Sequence, residues 1–376
     1  MPRVLSAAAC LTCRRRKVKC DEQGPTCLRC SRADLYCERA VEAAVHRHRL
    51  PEKSGEYLND DDAPLGPQLA LQTAGVARLY EHYIKILAPW YDLSDGERHF
   101  ARHVPREALG HPLLFAAIVA FAAVHLSKTG VATARTTAEQ YHGQCVRILI
   151  GLAEREIATG NANTLAAICL LRSYEILAED VDPSRHLSGA YALAGSQPID
   201  LGRPSLLRAG FFNYLREDIT YGLINRCALK LDLNNINASS YGVATDEDQL
   251  NVVTLVLADI INYAFGKSAR TSLLHDLSEK LVNWRQSLPG HFGPLCENAT
   301  LSIFPNIWML GGNYVATEQY HLVASSIIES LTNSDINVLE DNAARVCGLA
   351  ITSATDSVLV NSFGPISFSR DILAGL

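Results

Sequence analysis

Six cysteines near the start of the chain have the residue type and spacing of metal ligands. The pattern Cys-x2-Cys-x6-Cys occurs twice, seventeen residues apart, at Cys10, Cys13, Cys20, Cys27, Cys30 and Cys37. A Cys-x2-Cys pair can hold one metal ion from a tight turn. We find no signal peptide before the cluster, and without export metal binding is favoured over a disulfide framework. The pattern therefore predicts a zinc site inside the cell.

The number of thiolates predicts how many ions this site holds. Each half of the repeat supplies three thiolates, one fewer than a tetrahedral zinc site needs, and no histidine lies within the cluster. Six thiolates complete two sites if two of them bridge both ions. The near-symmetric spacing makes the first cysteine of each half, Cys10 and Cys27, the natural bridge. The sequence thus predicts two zinc ions per chain.

A run of cations lies between the second and third cysteines of the first half, at Arg14, Arg15, Arg16, Lys17 and Lys19. The matching stretch of the second half, residues 31–36, has no net charge. Two Zn²⁺ and six thiolates sum to −2, so the cations exceed what the cluster needs. We interpret the first half as the one that contacts the phosphates and bases of a polyanion. A solvated basic face and a nuclear import signal are the alternatives.

Charge is divided unevenly along the 376 residues, although the net charge is only −6. Residues 1–50 hold eleven Lys/Arg and five Asp/Glu, which leaves 23 basic and 35 acidic residues in the remainder. This division suggests a basic binding module attached to an acidic body. Hydrophobic residues make up 48% of the chain, which excludes a mainly disordered protein. The longest apolar run, residues 113–124, is shorter than the roughly 20 residues of a membrane span and predicts a buried helix.

Three regions follow from these patterns: a zinc cluster domain at residues 1–39, a linker at residues 40–67 rich in Pro, Gly and Asp, and a helical body at residues 68–376. We find no clear coiled coil after the cluster. In the body, Thr245 and the acids after it read as a helix start, and the apolar helix that follows ends at Gly266.

A second helix is predicted by an apolar residue at every fourth position, at Leu215, Ile219, Leu223, Cys227 and Leu231. Strand-like alternation is scarce, so the predicted fold class is mainly α, with an all-α body.

The cysteines outside the cluster are predicted to be small core residues, namely Cys145, Cys169, Cys227, Cys296 and Cys347. The chain has no Gly-x-Ser-x-Gly, His-Glu-x-x-His or phosphate-cradling glycine loop. We therefore expect no enzymatic activity.

Residues 10–37 closely resemble the fungal binuclear zinc cluster DNA-binding domain. The resemblance rests on the six cysteines in register, the basic run, and Pro25 two positions before Cys27. It implies two short helices around two zinc ions, bridged by the first and fourth cysteines, with the first helix in the major groove at a CGG-type triplet. Lys17 would be the main base contact, assisted by Arg16, because Lys and Arg donate to guanine O6 and N7. Arg14 and Lys19 are better placed for phosphates.

Residues 83–93, 111–114 and 214–219 resemble, more weakly, the helical regulatory domain that follows the zinc cluster in many fungal regulators. This resemblance implies an all-helical body linked to regulation. Members of the family are commonly longer, so we expect either an abbreviated C-terminal part or an incomplete chain.

Together these observations predict a zinc-dependent transcription regulator in the nucleus that acts on RNA polymerase II promoters. Its expected partners are double-stranded DNA and the transcription machinery or regulatory proteins, without a membrane; a homodimer is left open. Control of a metabolic gene cluster is common in the family. The alternatives are a zinc-stabilised protein-interaction scaffold without a specific DNA site and, third, a helical enzyme with a zinc-cluster appendage.

Overall fold

The computed structural model describes residues 18–21, 27–28, 32, 66–151, 161–178, 200–231, 233, 245–266, 271–298, 304–353 and 355–374. The chain divides into two compact units, Met1–Gly55 and Glu56–Leu376. The described part of the second unit is mainly helical, which confirms the predicted fold class. Within the part of the chain that the structure describes, every helix is too short or too polar to span a lipid bilayer.

The helices are numbered in chain order. The first seven are α1 (Pro67–Ala70), α2 (Ala74–His82), α3 (His99–Arg102), α4 (Val104–Glu107), α5 (Pro112–Lys128), α6 (Ala134–Gly151) and α7 (Ala162–Ala178). The others are α8 (Leu206–Asn225), α9 (Asp246–Phe265), α10 (Thr271–Ser287), α11 (Gly312–Thr332), α12 (Ile336–Ser353), α13 (Asp356–Asn361) and α14 (Phe363–Leu373). A π-helical turn (Tyr83–Leu87) and a 3-10 turn (Ala88–Trp90) follow α2, and a second 3-10 turn (Gly290–Phe292) follows α10.

Helix α5 is the centre of the N-terminal half of the body. All residues from 113 to 124 are buried, as predicted for this apolar run. Its many alanines let α6 and α7 pack closely against it, with α2 on a further side. A helix that is apolar all round is stable only when neighbours cover every face. The run is therefore a core helix.

Helix α8 joins this half to the second. It packs against α7, α9 and α14, and α9 in turn packs against α11, which contacts α12. The side chains along these contacts form one hydrophobic core. Because α8 reaches both halves, polar residues on it can meet groups from distant parts of the sequence.

The start of α9 confirms the predicted helix boundary. The Thr245 side chain accepts the N–H of Asp248, and the Asp248 side chain accepts the N–H of Thr245, which is a capping box. The helix ends at Phe265, with Gly266 as its C-cap. Side-chain hydrogen bonds therefore fix the start of α9.

The predicted stripe on α8 is correct for its first three members only. Leu215, Ile219 and Leu223 are fully buried, but the helix ends before Cys227 and Leu231. The expectation that one helix face carries all five residues is therefore wrong.

Helix α8 ends before Cys227 because Arg226 adopts a left-handed backbone conformation. Arg226 has φ 50°, and its N–H and that of Cys227 both donate to the carbonyl of Gly222. The chain then turns so that the Leu231 N–H donates to the buried carboxylate of Asp218 at 2.9 Å. Residue periodicity continues through this turn and does not reveal it.

The described residues also contain one antiparallel ribbon, β1 (Cys296–Asn298) paired with β2 (Asn306–Trp308). Cys296 lies in β1 and is exposed, so the prediction that it is a core residue is wrong. Cys145 and Cys169 are buried as predicted, and burial raises the pKa of the Cys169 thiol to about 12. Cys227 and Cys347 are half-buried.

Candidate metal centre and nucleic-acid interface

Two of the six predicted zinc ligands lie among the described residues, one from each half of the repeat. The sulfurs of Cys20 and Cys27 and a carboxylate oxygen of Asp21 all lie within 4.8 Å of one another. Both cysteines are buried. Two thiolates bound at 2.3 Å to one tetrahedral zinc ion are about 3.8 Å apart. The two side chains are therefore close enough to hold a shared ion.

Asp21 fixes how the second half begins. Its Oδ2 accepts the N–H of Leu28 at 3.0 Å, and the Leu28 carbonyl accepts the N–H of Arg32 at 2.9 Å. Leu28 thus begins a helical turn directly after Cys27. The Asp21 carboxylate accepts the Leu28 N–H, a donor that has no acceptor within the turn itself. Such an acid satisfies the N–H and stabilises the positive end of the turn. Asp21 therefore helps to hold Cys27 beside Cys20.

Sequence reasoning missed this role of Asp21. The available signal was its position, as an acid directly after a predicted ligand at the end of a strongly basic run. A carboxylate oxygen can also bind zinc, but thiolates are the softer ligands and are preferred in structural sites. With Asp21 engaged by the backbone of Leu28, the two sulfurs are the natural metal donors of this group.

Lys19 is exposed although the next residue, Cys20, is buried. The chain therefore turns the end of the basic run towards solvent while the sulfur points inward. Arg32, from the second half, is also exposed. Lys19 is thus accessible to a phosphate, as its predicted role requires.

The remaining predicted site residues lie outside the described residues: the cysteines Cys10, Cys13, Cys30 and Cys37, and the basic residues Arg14, Arg15, Arg16 and Lys17. Their roles stay predictions.

Comparison with known protein families matches both parts of the chain. Residues 8–43 match the fungal Zn(2)-Cys(6) binuclear cluster domain, and residues 78–212 match the fungal specific transcription factor domain. The first match contains all six cysteines and implies zinc binding. The second extends from α2 into α8.

Three curated proteins resemble parts of the chain. An uncharacterized transcriptional regulatory protein of Schizosaccharomyces pombe is 33% identical over 147 residues, covering 34% of this chain and 26% of that protein. Transcription factor lfc1 of Flammulina velutipes is 42% identical over 59 residues, 16% of this chain and 20% of its own length. Transcriptional regulatory protein moc3 of S. pombe is 59% identical over 60 residues, 15% of this chain and 12% of its own length. The matches thus cover about a quarter or less of each relative. No solved structure matches the chain.

Proposed function

The chain carries both domains of the fungal binuclear zinc cluster transcription factor family, and on that premise we propose that it is a zinc-dependent regulator that binds specific DNA sequences. The observation that carries the proposal is the pairing of Cys20 with Cys27 across the two halves of the cysteine repeat. If the leading cysteine of the second half bridges two ions, it must approach a thiolate of the first half, as Cys27 approaches Cys20.

Two zinc ions would be held by Cys10, Cys13, Cys20, Cys27, Cys30 and Cys37, with Cys10 and Cys27 bridging. The metal supplies the cross-links that fold a segment with too few apolar residues to fold alone. The residues of the chain would then hold the basic run in one orientation. Buried thiolates inside and Lys19 outside are in keeping with such a unit.

Arg14, Arg15, Arg16, Lys17 and Lys19 would form the DNA-binding surface. Lys17, assisted by Arg16, would donate to guanine in the major groove of a CGG-type triplet. Lys19 and Arg14 would contact phosphates, which adds affinity and salt dependence without sequence information. A three-base-pair site recurs too often in a genome to specify a promoter alone. A homodimer that reads two triplets would solve this problem.

We propose that the protein acts in the nucleus at RNA polymerase II promoters, and that it is a regulator rather than an enzyme. The helical body would receive the regulatory signal, from the transcription machinery, a regulatory protein or a small ligand. The genes that the protein regulates would belong to a metabolic gene cluster. The excess of acids after residue 50 makes the body a poor ligand for DNA and suits it to protein partners.

Zinc content and DNA preference of the full chain test the proposal. Elemental analysis should give two zinc ions per chain, and fewer than two would contradict the bridged cluster. The same protein should bind a duplex with a CGG triplet more tightly than a scrambled duplex at equal salt. Equal affinity for both duplexes would favour the protein-interaction scaffold.

Single substitutions distinguish basic residues that would contact bases from those that would contact phosphates. Lys17→Ala should reduce the preference for the CGG duplex by about 1–3 kcal/mol. Lys19→Ala should weaken binding to both duplexes alike and lower the salt dependence by about one phosphate contact. Arg32→Ala, which removes an exposed cation from the second half, is the matched control and should leave both affinities unchanged.

A further inference from the structure

A small cavity of about 30 Å³ lies inside the helical body. It is bounded by α7, α8, α11 and α13 and by the segment that carries Trp90 and Tyr91. This volume is enough for a water molecule or a group of similar size. The lining is rich in polar side chains, which is unusual for a space between packed helices.

Arg216 is the cation of this cavity, and its side chain is only partly satisfied. The residue is 4% exposed. Its Nη1 donates to Ser94 Oγ at 2.6 Å and its Nη2 to Asn213 Oδ1 at 2.8 Å, both uncharged acceptors. Its Nε has no hydrogen-bond partner within the described part of the chain.

Two other buried arginines of the body have carboxylate partners. Arg208 forms an ion pair with Asp248, and Arg172 lies 3.3 Å from Glu175. Arg216 forms no ion pair among the described residues, and burial lowers the pKa of its guanidinium. A buried charge without a partner is costly, so a negatively charged group beside Arg216 would stabilise the fold.

A second residue that lines the cavity, Trp90, also carries an N–H donor without an acceptor in the described part of the chain. The indole Nε1 of Trp90 is buried and has no hydrogen-bond partner among the described residues. Trp284 provides the contrast, because its Nε1 donates to Gln249 Oε1 at 2.9 Å. Buried indole N–H groups usually have a partner. Two unsatisfied donors at one cavity indicate a place for a hydrogen-bond acceptor.

Glu217 also lines the cavity and carries a charge opposite to that of Arg216. Its Oε2 lies 3.6 Å from Arg172 Nε, so its charge is shared with another arginine. Tyr320 lines the cavity as well, and burial raises its pKa to about 12, so it is a neutral hydroxyl near pH 7. The cavity therefore presents donors to a ligand and keeps its one carboxylate in an ion pair.

We propose that this cavity binds a carboxylate group, whose oxygens accept hydrogen bonds from Arg216 Nε and Trp90 Nε1. A charged acceptor is favoured over a neutral one because it pairs with the guanidinium and makes stronger hydrogen bonds. Val360 contributes to the lining and is exposed, so one lining residue also lies at the protein surface. The small volume of the cavity suits the carboxylate of a small organic acid. This site does not depend on the proposed binding of DNA.

Calorimetric titration of the full chain with formate, acetate and neutral acetamide, at constant pH and ionic strength, tests this proposal. Formate and acetate should bind and acetamide, which matches acetate in shape, should not. Equal behaviour of acetate and acetamide, or no binding of either carboxylate, would overturn the proposal and leave a cavity that holds water only.

Two tryptophan variants locate the site. Trp90→Phe keeps an aromatic ring and removes the N–H, and should weaken acetate binding by about tenfold. Trp284→Phe is the matched control, since Trp284 does not line the cavity, and should change the affinity by less than about twofold. Arg216→Gln should abolish binding. An unchanged affinity in Trp90→Phe, or an equal loss in both tryptophan variants, would show that the carboxylate does not bind here.

Discussion

His82 at the end of α2 and His125 near the end of α5 lie side by side, with Nε2 of the first 3.1 Å from Nδ1 of the second. The rings tilt by 35°, and His125 also contacts the edge of Trp90. Burial and the neighbouring His125 lower the pKa of His82 to about 4, and burial lowers that of His125. The pair therefore stays neutral near pH 7 and joins α2 to α5 by one hydrogen bond.

This pair should make the fold less stable in mild acid. The pKa of each histidine is lower in the folded protein, so the unfolded chain binds more protons below its ordinary pKa of 6.5. The stabilisation that the neutral pair gives the fold is fully present above pH 6.5 and is lost as the pH falls towards about 4. We expect a loss of about 1–2 kcal/mol for the pair, after allowance for partial exposure.

Denaturant unfolding at several pH values checks this expectation, with a variant as the reference. Burial raises the pKa of Asp92 to about 7, and this group stabilises the fold as the pH falls through the same range. The wild-type curve therefore contains both effects. His82→Gln with His125→Gln should remove the acid sensitivity of this pair only, since burial also lowers the pKa of His321 to about 4 in both proteins. An unchanged difference between the two proteins from pH 4 to 7 would contradict the prediction.

Gly348 and Gly143 are both helical glycines, and alanine should have opposite effects at the two positions. A Cβ on Gly348 in α12 would clash with the carbonyl oxygen of Pro305, whereas a Cβ on Gly143 in α6 would come no closer than 3.8 Å to the Arg147 side chain. Gly348→Ala should destabilise by about 1–3 kcal/mol because backbone must move. Gly143→Ala should stabilise by about 0.5–1 kcal/mol, because alanine restricts the unfolded chain. Equal shifts in melting temperature would refute the close approach.

Thr245→Ala should remove the capping box of α9. The expected cost is about 1 kcal/mol, since the Asp248 N–H loses the Thr245 hydroxyl and keeps only the Thr245 carbonyl as an acceptor at the start of a buried helix. Thr355, which precedes α13 without a side-chain cap, is the control, and Thr355→Ala should cost much less. Chemical denaturation of both variants measures the difference, and similar costs would mean that the Thr245 hydroxyl does not act as a cap.

Asp21→Ala should weaken metal retention, although we do not assign Asp21 as a ligand. Without its carboxylate the Leu28 N–H loses its acceptor, and the turn that follows Cys27 is less well held. Changes in groups that orient metal ligands typically cost about 10–100-fold in metal affinity. The chelator concentration that removes zinc should fall accordingly. Asp21→Asn keeps an oxygen acceptor and should recover much of the loss; no recovery would assign the effect to the charge instead.

Residue spacing alone predicted the zinc cluster domain that the family comparison matches, the buried helix α5 and both ends of α9. These features depend on neighbours in sequence: thiolates at fixed intervals, an uninterrupted apolar run, and a cap three residues from its partner. The end of α8 and the exposure of Cys296 were missed. Arg226 adopts a left-handed conformation that no local pattern required, and Cys296 lies in a ribbon whose strands are too short to show alternation.

The candidate carboxylate site illustrates what spacing cannot reveal. Trp90 and Arg216 are far apart in sequence, and no motif links the two. They meet because α8 packs against both halves of the body, and only packing leaves their N–H groups at one cavity without acceptors. Residue spacing alone predicts a zinc-binding unit and a helical body, because metal ligation and helix formation are encoded over a few residues. Tertiary structure decided which buried charges and N–H groups lack partners, because that depends on contacts between residues remote in the chain.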